Sequence, residues 1–430
     1  MSKRNILIVT YDWSPRNSIA VHRPYAWAKY WSGLGHDITV LTAEKCLYDE
    51  PLDMIMPEIE GVTVVEVPYR AALNKAQRTP NRMTIKKMVL EFLKKHSRLV
   101  QRLFGLNLDV RDAWATKAKN VAIKLHQASR FDVVVSTYGP RACHFIGSEV
   151  KARDPSIFWV ADYRDMWSIC HDSVLVGRRR IKEHRLEKET LDSSDLITTV
   201  SGPLVKDLEK FLNRKVHLAF NGYDVEGEVV EKRVNESRVT GKDNFKLVYT
   251  GMIYPGWRDP TPLFSAINEL TQEQKIYSGQ IRVDFYGKRQ PGLQEIVSSL
   301  NAETYVTIHG HVTRDRALEE QENADLLLIM ESGDERAKGV LTGKIFEYMV
   351  SGRPVISLGS THDSAIGRLI YETGIGAVCE QDVSKIKNCL LKLVLGNSST
   401  FYQPRLEKIR NYSRERQAGM LIDLINEGLD

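Results

Sequence analysis

The chain has 430 residues, of which 42% are hydrophobic and 27% charged, with a formal net charge of +5. That length exceeds one ordinary core and suits two domains of roughly 200 residues each. No apolar run approaches the ~20 residues of a membrane helix, and the near-neutral charge outside one segment speaks against general nucleic-acid affinity.

The opening "MSKRNILIVTYDW" has a charged start, but its apolar run is shorter than the ~7–15 residues of a signal-peptide core. It reads as a first strand. Five cysteines are scattered with no CxxC pair, which fits a reducing cytoplasm and argues against a structural zinc site. Short apolar, β-rich runs then alternate with helical patterns. In the first half the expected strands are Ile6–Thr10, Ile38–Leu41, Val62–Val67, Val133–Ser136, Phe158–Val160, Leu196–Val200 and Val216–Phe220. In the second half they are Lys246–Thr250, Ile281–Tyr286, Val306–His309, Asp325–Met330 and Val355–Leu358. Continuous apolar strands alternating with helices imply parallel sheets covered on both faces. Two such series imply two doubly wound domains, each binding ligands at the carboxyl ends of its strands. The polar stretch from Tyr223 to Phe245 reads as the break between them. The last thirty residues read as helix.

Between Ala71 and Val110 nine basic residues face two acids, a net of +7. Ile85, Met88, Val89, Phe92, Leu99, Leu103 and Phe104 recur near the helix period. Lys86, Lys87, Lys94, Lys95, Arg98 and Arg102 fill much of the rest. This is an amphipathic basic helix. It can lie on anionic lipid, each nearby charge contributing ~1 kcal/mol, or pack on its domain with a solvated basic face.

His144, near the start of the helix after Val133–Ser136, reads by itself as a packing residue. "VADYRDMW" places Asp162, Arg164 and Asp165 after a buried strand. Arg164 can bind phosphate or a developing anion but cannot act as a base, which leaves Asp165 as the base candidate. Arg164 and Asp165 can equally form a structural pair. In the second half, "GVLTGKIFEYM" reads as a turn and a short helix with Thr342 as N-cap. Ile345, Phe346 and Met349 form its buried stripe. Lys344 and Glu347, at i and i+3, share the other face. They can form an ordinary surface ion pair. Alternatively, Lys344 can serve an anion at the helix start while Glu347 accepts two hydrogen bonds from a vicinal diol.

"GVLTGKIFEYMVSGRPVIS" resembles the donor-site motif of family 4 glycosyltransferases, retaining enzymes of the GT-B fold. Further pieces match in the expected order. "SGLGHDITVLTA" resembles the family's first helix end and second strand. "FDVVVSTYGPRACHFIG" and "FWVADYRDMWS" resemble a branch acting in cell-surface polysaccharide synthesis. "LITTVSGPLVKDL", "HLAFNGYDVE" and "LVYTGMIYPGWRDPTPLFSAI" resemble later family segments. The resemblance implies an α/β GT-B fold of two Rossmann-like doubly wound parallel-sheet domains facing across a cleft. It places an acceptor domain at 1–225, carrying the basic insertion at about 80–105. A nucleotide-sugar donor domain follows at 240–400, and a terminal helix at 401–430 packs back on the first domain.

For single positions the resemblance implies the following. Glu347 binds the ribose of a nucleotide sugar. Lys344, Thr342 and Gly343 lie near the diphosphate, and Arg258 takes the place of a phosphate-binding Lys. His144 rises to a site candidate beside Arg164 and Asp165. The first loop, with Asn17, Ser18 and Arg23, faces acceptor or phosphate where relatives carry glycines, although a solvated charge is the default for Arg23. Fixed basic groups stabilise the leaving diphosphate without a metal, and there is no Asp-x-Asp metal motif and no cofactor. The expected partners are a nucleotide-sugar donor, a glycan or lipid-linked glycan acceptor and an anionic membrane surface, with no nucleic acid. The expected location is cytoplasmic, peripheral on the inner face of the cell membrane. Two departures stand out. The family's second acid, eight residues before Glu347, is here Gly339, with Glu331, Asp334 and Glu335 nearby. The usual Arg after the strand-ending Gly251 is Met252. These departures keep open a nucleotide-sugar epimerase of the same fold and a non-catalytic binding scaffold.

Overall fold

The computed structural model describes residues 3–45, 51–68, 109, 111–170, 175–236, 243–253, 257–287 and 291–429. The expected basic helix, with Lys86, Lys87, Lys94, Lys95, Arg98 and Arg102, lies outside the described residues.

The chain divides into two compact units. The first comprises residues 1–200, 204–219 and 418–430. Its seven-stranded parallel sheet is built from β1 (Asn5–Val9), β2 (Asp37–Ala43), β3 (Val62–Val67), β4 (Val133–Thr137), β5 (Phe158–Tyr163), β6 (Leu196–Thr199) and β7 (His217–Leu218), in the order β3-β2-β1-β4-β5-β6-β7. The central strands are apolar on both sides because both faces are covered. Leu7, Val9, Val134 and Trp159 enter one core. Ile6, Ile8, Val133 and Val160 enter the other. The second core is completed by the helices His22–Gly33 and Arg414–Leu429, through Trp27 and Trp31 from one and Leu421, Ile422 and Ile425 from the other. The indole of Trp31 donates to the carbonyl of Ala418 at 2.9 Å, which fixes the final helix on this sheet.

The second unit comprises residues 201–203 and 220–417. Its six-stranded parallel sheet contains β8 (Phe245–Thr250), β9 (Ile281–Tyr286), β10 (Val306–Gly310), β11 (Leu326–Met330), β12 (Val355–Leu358) and β13 (Gly376–Glu380), in the order β10-β9-β8-β11-β12-β13. Leu247, Val283, Leu328 and Ile356 anchor its main core. Strand β13 was not expected from the sequence. It is an edge strand that opens on Gly376 and Ala377, and its first half is only half-buried. The stretch read as an irregular break instead contains the helix Gly227–Asn235, which buries Val230 and Val234.

In both sheets the strand order reverses at one place, between β1 and β4 in the first and between β8 and β11 in the second. Doubly wound sheets open a crevice at the carboxyl ends of the strands on either side of such a reversal.

Ile422 is fully buried against the first sheet. Ile422→Ala should lower the unfolding free energy by about 2–5 kcal/mol, read by chemical denaturation. An unchanged midpoint would mean that the final helix does not cover the sheet.

Candidate functional site

The crevice of the second unit is framed by Gly251, which follows β8, and Glu331, which follows β11. Gly251 has φ +134° and Gly287, after β9, has φ +147°. Only glycine tolerates such backbone routinely. A Cβ at Gly287 would overlap the carbonyl of Gly251, and a Cβ at Gly251 would overlap Cε and Nζ of Lys344. The two glycines therefore let β8 and β9 turn away together and leave a slot that the Lys344 side chain occupies. Its ammonium lies 5.0 Å from the centroid of the Tyr249 ring. Burial, with Arg258 next in effect, brings its pKa down to about 8. Arg258 is half-buried and donates to the carbonyl of Met252 at 3.1 Å.

Lys344 opens a helix of only six residues, Lys344–Met349. Its N-cap is Gly343, with no side-chain cap, so the expectation that Thr342 caps it is corrected. Thr342 instead lends its backbone carbonyl to the N–H of Ile345. Six residues make under two turns, so positive potential here comes chiefly from the Lys344 and Arg258 side chains. Ile345, Phe346, Tyr348 and Met349 are buried and hold the helix down. The Tyr348 hydroxyl meets the backbone N–H and hydroxyl of Thr250 at 3.2 and 3.1 Å, tying the helix to the end of β8.

Glu347 does not pair with Lys344. Its Oε1 accepts from Arg314 at 2.9 Å and its Oε2 from Gln321 at 3.3 Å. Gln321 is itself buried and donates to Thr250. The alternative of an i, i+3 surface pair is thereby replaced by a carboxylate positioned from a different helix, Arg314–Glu322. A carboxylate offers about four acceptor positions, and two are used.

Glu331 is buried, and its Oε1 has no hydrogen-bond partner. Burial raises its pKa to about 7, against the pull of Arg258 and Lys344. The two other acids near Gly339 are engaged elsewhere. Asp334 pairs with Arg336, and Glu335 pairs with Lys338. Gly339 uses its carbonyl to accept from the Ser201 hydroxyl at 2.7 Å.

In the first unit the corresponding positions are built differently. Asp162 is fully buried and accepts from Arg23 Nε at 3.0 Å and Nη2 at 2.6 Å, from Thr137 at 2.8 Å and from Thr198 at 2.8 Å. Arg23 is 6% exposed, which corrects the expectation of a solvated charge. Its guanidinium fork holds β5 rather than reaching for phosphate. Asn17 donates to Asp53 at 2.8 Å, and Ser18 caps the short helix Ile19–Val21 by accepting from Ala20.

Arg164 leans over Gly139, where a Cβ would overlap its guanidinium, and donates to the carbonyl of Tyr138 at 3.2 Å. It lies 3.3 Å from Asp165, whose side chain is 61% exposed. These two are adjacent at the end of β5, Arg164 half-buried and Asp165 exposed. His144 is fully buried. Its Nδ1 meets the Ser136 hydroxyl at 2.9 Å, and its ring lies among Tyr138, Tyr163 and Trp167. Burial lowers its pKa to about 3. The neutral ring is a packing element between β4 and the aromatic layer over it.

No family model matches the chain, and no curated protein matches it. Solved structures do match across both units. A glycosyltransferase from Rickettsia africae is 14% identical and aligns over 100% of each chain with a TM-score of 0.63. A sucrose-phosphate synthase from Thermosynechococcus elongatus is 11% identical over 99% of each chain, with a TM-score of 0.62. Anabaena HepE, solved in complex with UDP and glucose, is 11% identical over 98% of this chain and 99% of its own, with a TM-score of 0.57. A Listeria monocytogenes structure named as a candidate UDP-N-acetylglucosamine 2-epimerase aligns with a TM-score of 0.52 at 10% identity over 100% of this chain and 97% of its own. The fold of the chain is GT-B, two units of doubly wound parallel sheet.

The buried His144 yields a pH signature. Unfolded, the ring protonates near the ordinary value of 6.5; folded, it resists protonation until about 3. The stability that the neutral ring contributes is complete above 6.5 and is lost as pH falls from there toward 3, with a slope of about 1.4 kcal/mol per pH unit. His144→Phe should remove that slope from the pH profile of unfolding free energy. Profiles that run parallel would show that the ring is not sealed.

Proposed function

We propose that the chain is a glycosyltransferase that moves a sugar from a nucleotide-diphosphate donor to a glycan or lipid-linked glycan acceptor. The observation that carries this reading is the pairing of Lys344 and Arg258 at the strand-order reversal of the second sheet, one helical turn from Glu347. Two cations on one side and a carboxylate with open acceptor positions on the other match the two ends of a ribosyl diphosphate. The Anabaena neighbour carries UDP and glucose on the same fold, which supports a nucleotide-sugar donor.

In this reading the diphosphate lies against Lys344 and Arg258, and the Glu347 carboxylate takes the ribose hydroxyls. The Arg314 and Gln321 donors hold that carboxylate in one orientation. As the glycosidic bond to the diphosphate breaks, negative charge grows on the leaving oxygen, and fixed cations stabilise it without reorganising. Transfer with retention then proceeds on one face of the sugar. The leaving phosphate accepts the acceptor's proton, so no protein nucleophile is required. Thr342 and Gly343 line the approach to the diphosphate, and no metal or cofactor is part of this scheme. Arg164 and Asp165 belong to the acceptor side. Asn17 and Ser18 border it, while Arg23 and His144 support it from within the fold. Membership of family 4 and a role in cell-surface polysaccharide synthesis follow from the sequence resemblance.

The epimerase neighbour motivates a second reading, in which free nucleotide sugar is converted without acceptor. That chemistry needs a set of carboxylates around the sugar. In the second unit the buried carboxylates with an unpartnered oxygen among the described residues are Glu331 and Asp284, and Asp284 is engaged through its other oxygen by Arg282 and His309.

A thermal-shift screen of UDP-glucose, GDP-mannose and dTDP-glucose should find at least one that raises the melting temperature, because a ligand that binds only the native state stabilises it. Glu347→Ala should weaken that nucleotide sugar by roughly ten- to a hundredfold, the worth of hydrogen bonds to a charged group, and leave the fold intact. Unchanged affinity by calorimetry would take Glu347 out of the site.

The basic segment supports a place on the inner membrane surface for an enzyme extending a lipid-linked sugar. Among the described residues no helix is long and apolar enough to cross a membrane. Changing Lys86, Lys87, Lys94 and Lys95 to Glu should release the protein from anionic vesicles in a pelleting assay. Pelleting that is unaffected would refute membrane attachment through this segment.

A further inference from the structure

The site contains one group that the donor scheme leaves idle. Glu331 sits at the strand-order reversal, across from Gly251, and its Oε1 is buried without a partner. It also lines a cavity of about 10 Å³, near the lower limit for a single water, together with Ser332, Asp334, Lys338, Ser360 and Ser364. The Ser360 hydroxyl is likewise buried and unpartnered. A carboxylate in such a place has no donor of its own to hold its charge. Its charge is balanced at longer range by Arg258, from the loop after β8, and by Lys344, from the short helix. Of the other charged groups around the cavity, Asp334 is engaged by Arg336, and Lys338 by Glu335 and Asp363.

We propose that Glu331 binds the donor's diphosphate as a carboxylic acid, its Oε1 taking a proton from solvent as the nucleotide sugar arrives and donating it in a hydrogen bond to a phosphate oxygen. The inference rests on the donor reading above. The physical reason is charge balance. In the empty site Lys344 and Arg258 favour the ionised form of Glu331. Once a diphosphate engages those two cations, an ionised Glu331 faces like charge across a buried space, and like charge disfavours ionisation. A neutral carboxyl turns that repulsion into a donated hydrogen bond. The proton returns to solvent when the nucleotide leaves, so release is favoured by rising pH. An acid here serves a purpose different from a ribose clamp: it makes diphosphate affinity depend on pH through one titrating group.

Difference infrared spectroscopy at pH 7.5 tests this directly. The nucleotide sugar is the one among UDP-glucose, GDP-mannose and dTDP-glucose that stabilises the protein most. Its addition should produce one protonated-carboxyl C=O band per bound molecule in the wild-type protein and a matching loss of carboxylate signal. Glu331→Gln should bind the same nucleotide sugar without that band, because its amide can still donate but cannot titrate. Glu331→Ala, in which the donor is lost as well, should bind more weakly than Glu331→Gln. Binding without a carboxyl band, or with an equal band in wild type and Glu331→Gln, would overturn this inference and leave the donor reading standing. Absence of binding by all three nucleotide sugars would overturn the donor reading and this inference with it.

Discussion

A lysine held over a glycine organises the second unit. Gly251 turns the chain at the end of β8 with a backbone that a side chain would strain, and the space it leaves is filled by Lys344. The candidate site residues of this unit are placed with respect to that contact. Gly287 matches the turn from the neighbouring strand. Thr250, one residue earlier, holds Tyr348 and Gln321, and Gln321 in turn holds Glu347. The helix that carries Lys344 is too short to be stable alone. It exists because its apolar face is buried and Tyr348 is tied to β8.

The first unit solves the same topological problem with opposite economy. There the buried carboxylate, Asp162, is fully satisfied by Arg23 and two threonines. Breaking one partner of such a buried pair leaves an uncompensated charge, at a typical cost of 3–5 kcal/mol. The accessible polar groups are pushed outward, to Arg164 and Asp165 beyond the strand end. The first unit thus locks Asp162 with direct partners, whereas the second leaves Glu331 with a buried oxygen that no donor meets.

Much of this was legible in the sequence. The central strands are continuous apolar runs because both sheet faces are covered, and that pattern alone gives the doubly wound class. The Lys–Phe–Glu–Tyr helix was visible as a motif. Its partners were not, because Arg314 lies 33 residues and Gln321 26 residues from Glu347, and no local period links them. The same holds for Arg23 and Asp162, separated by 139 residues. A lone arginine after a loop looks solvated until the fold brings a carboxylate to it. The weakest elements were missed for compositional reasons. Strand β13 is an edge that starts on small residues, and the helix Gly227–Asn235 buries only two valines in a charged stretch. Near Gly339, where the sequence departs from the resembling family, the buried acid is Glu331, at the start of the same β11–β12 connection.

The most direct test is a crystal structure with the stabilising nucleotide sugar bound. The account predicts ribose hydroxyls within hydrogen-bond distance of Glu347 and the diphosphate against Lys344, Arg258 and Glu331. A nucleotide bound elsewhere, with Lys344 still over Tyr249 and Glu347 still met only by Arg314 and Gln321, would contradict it.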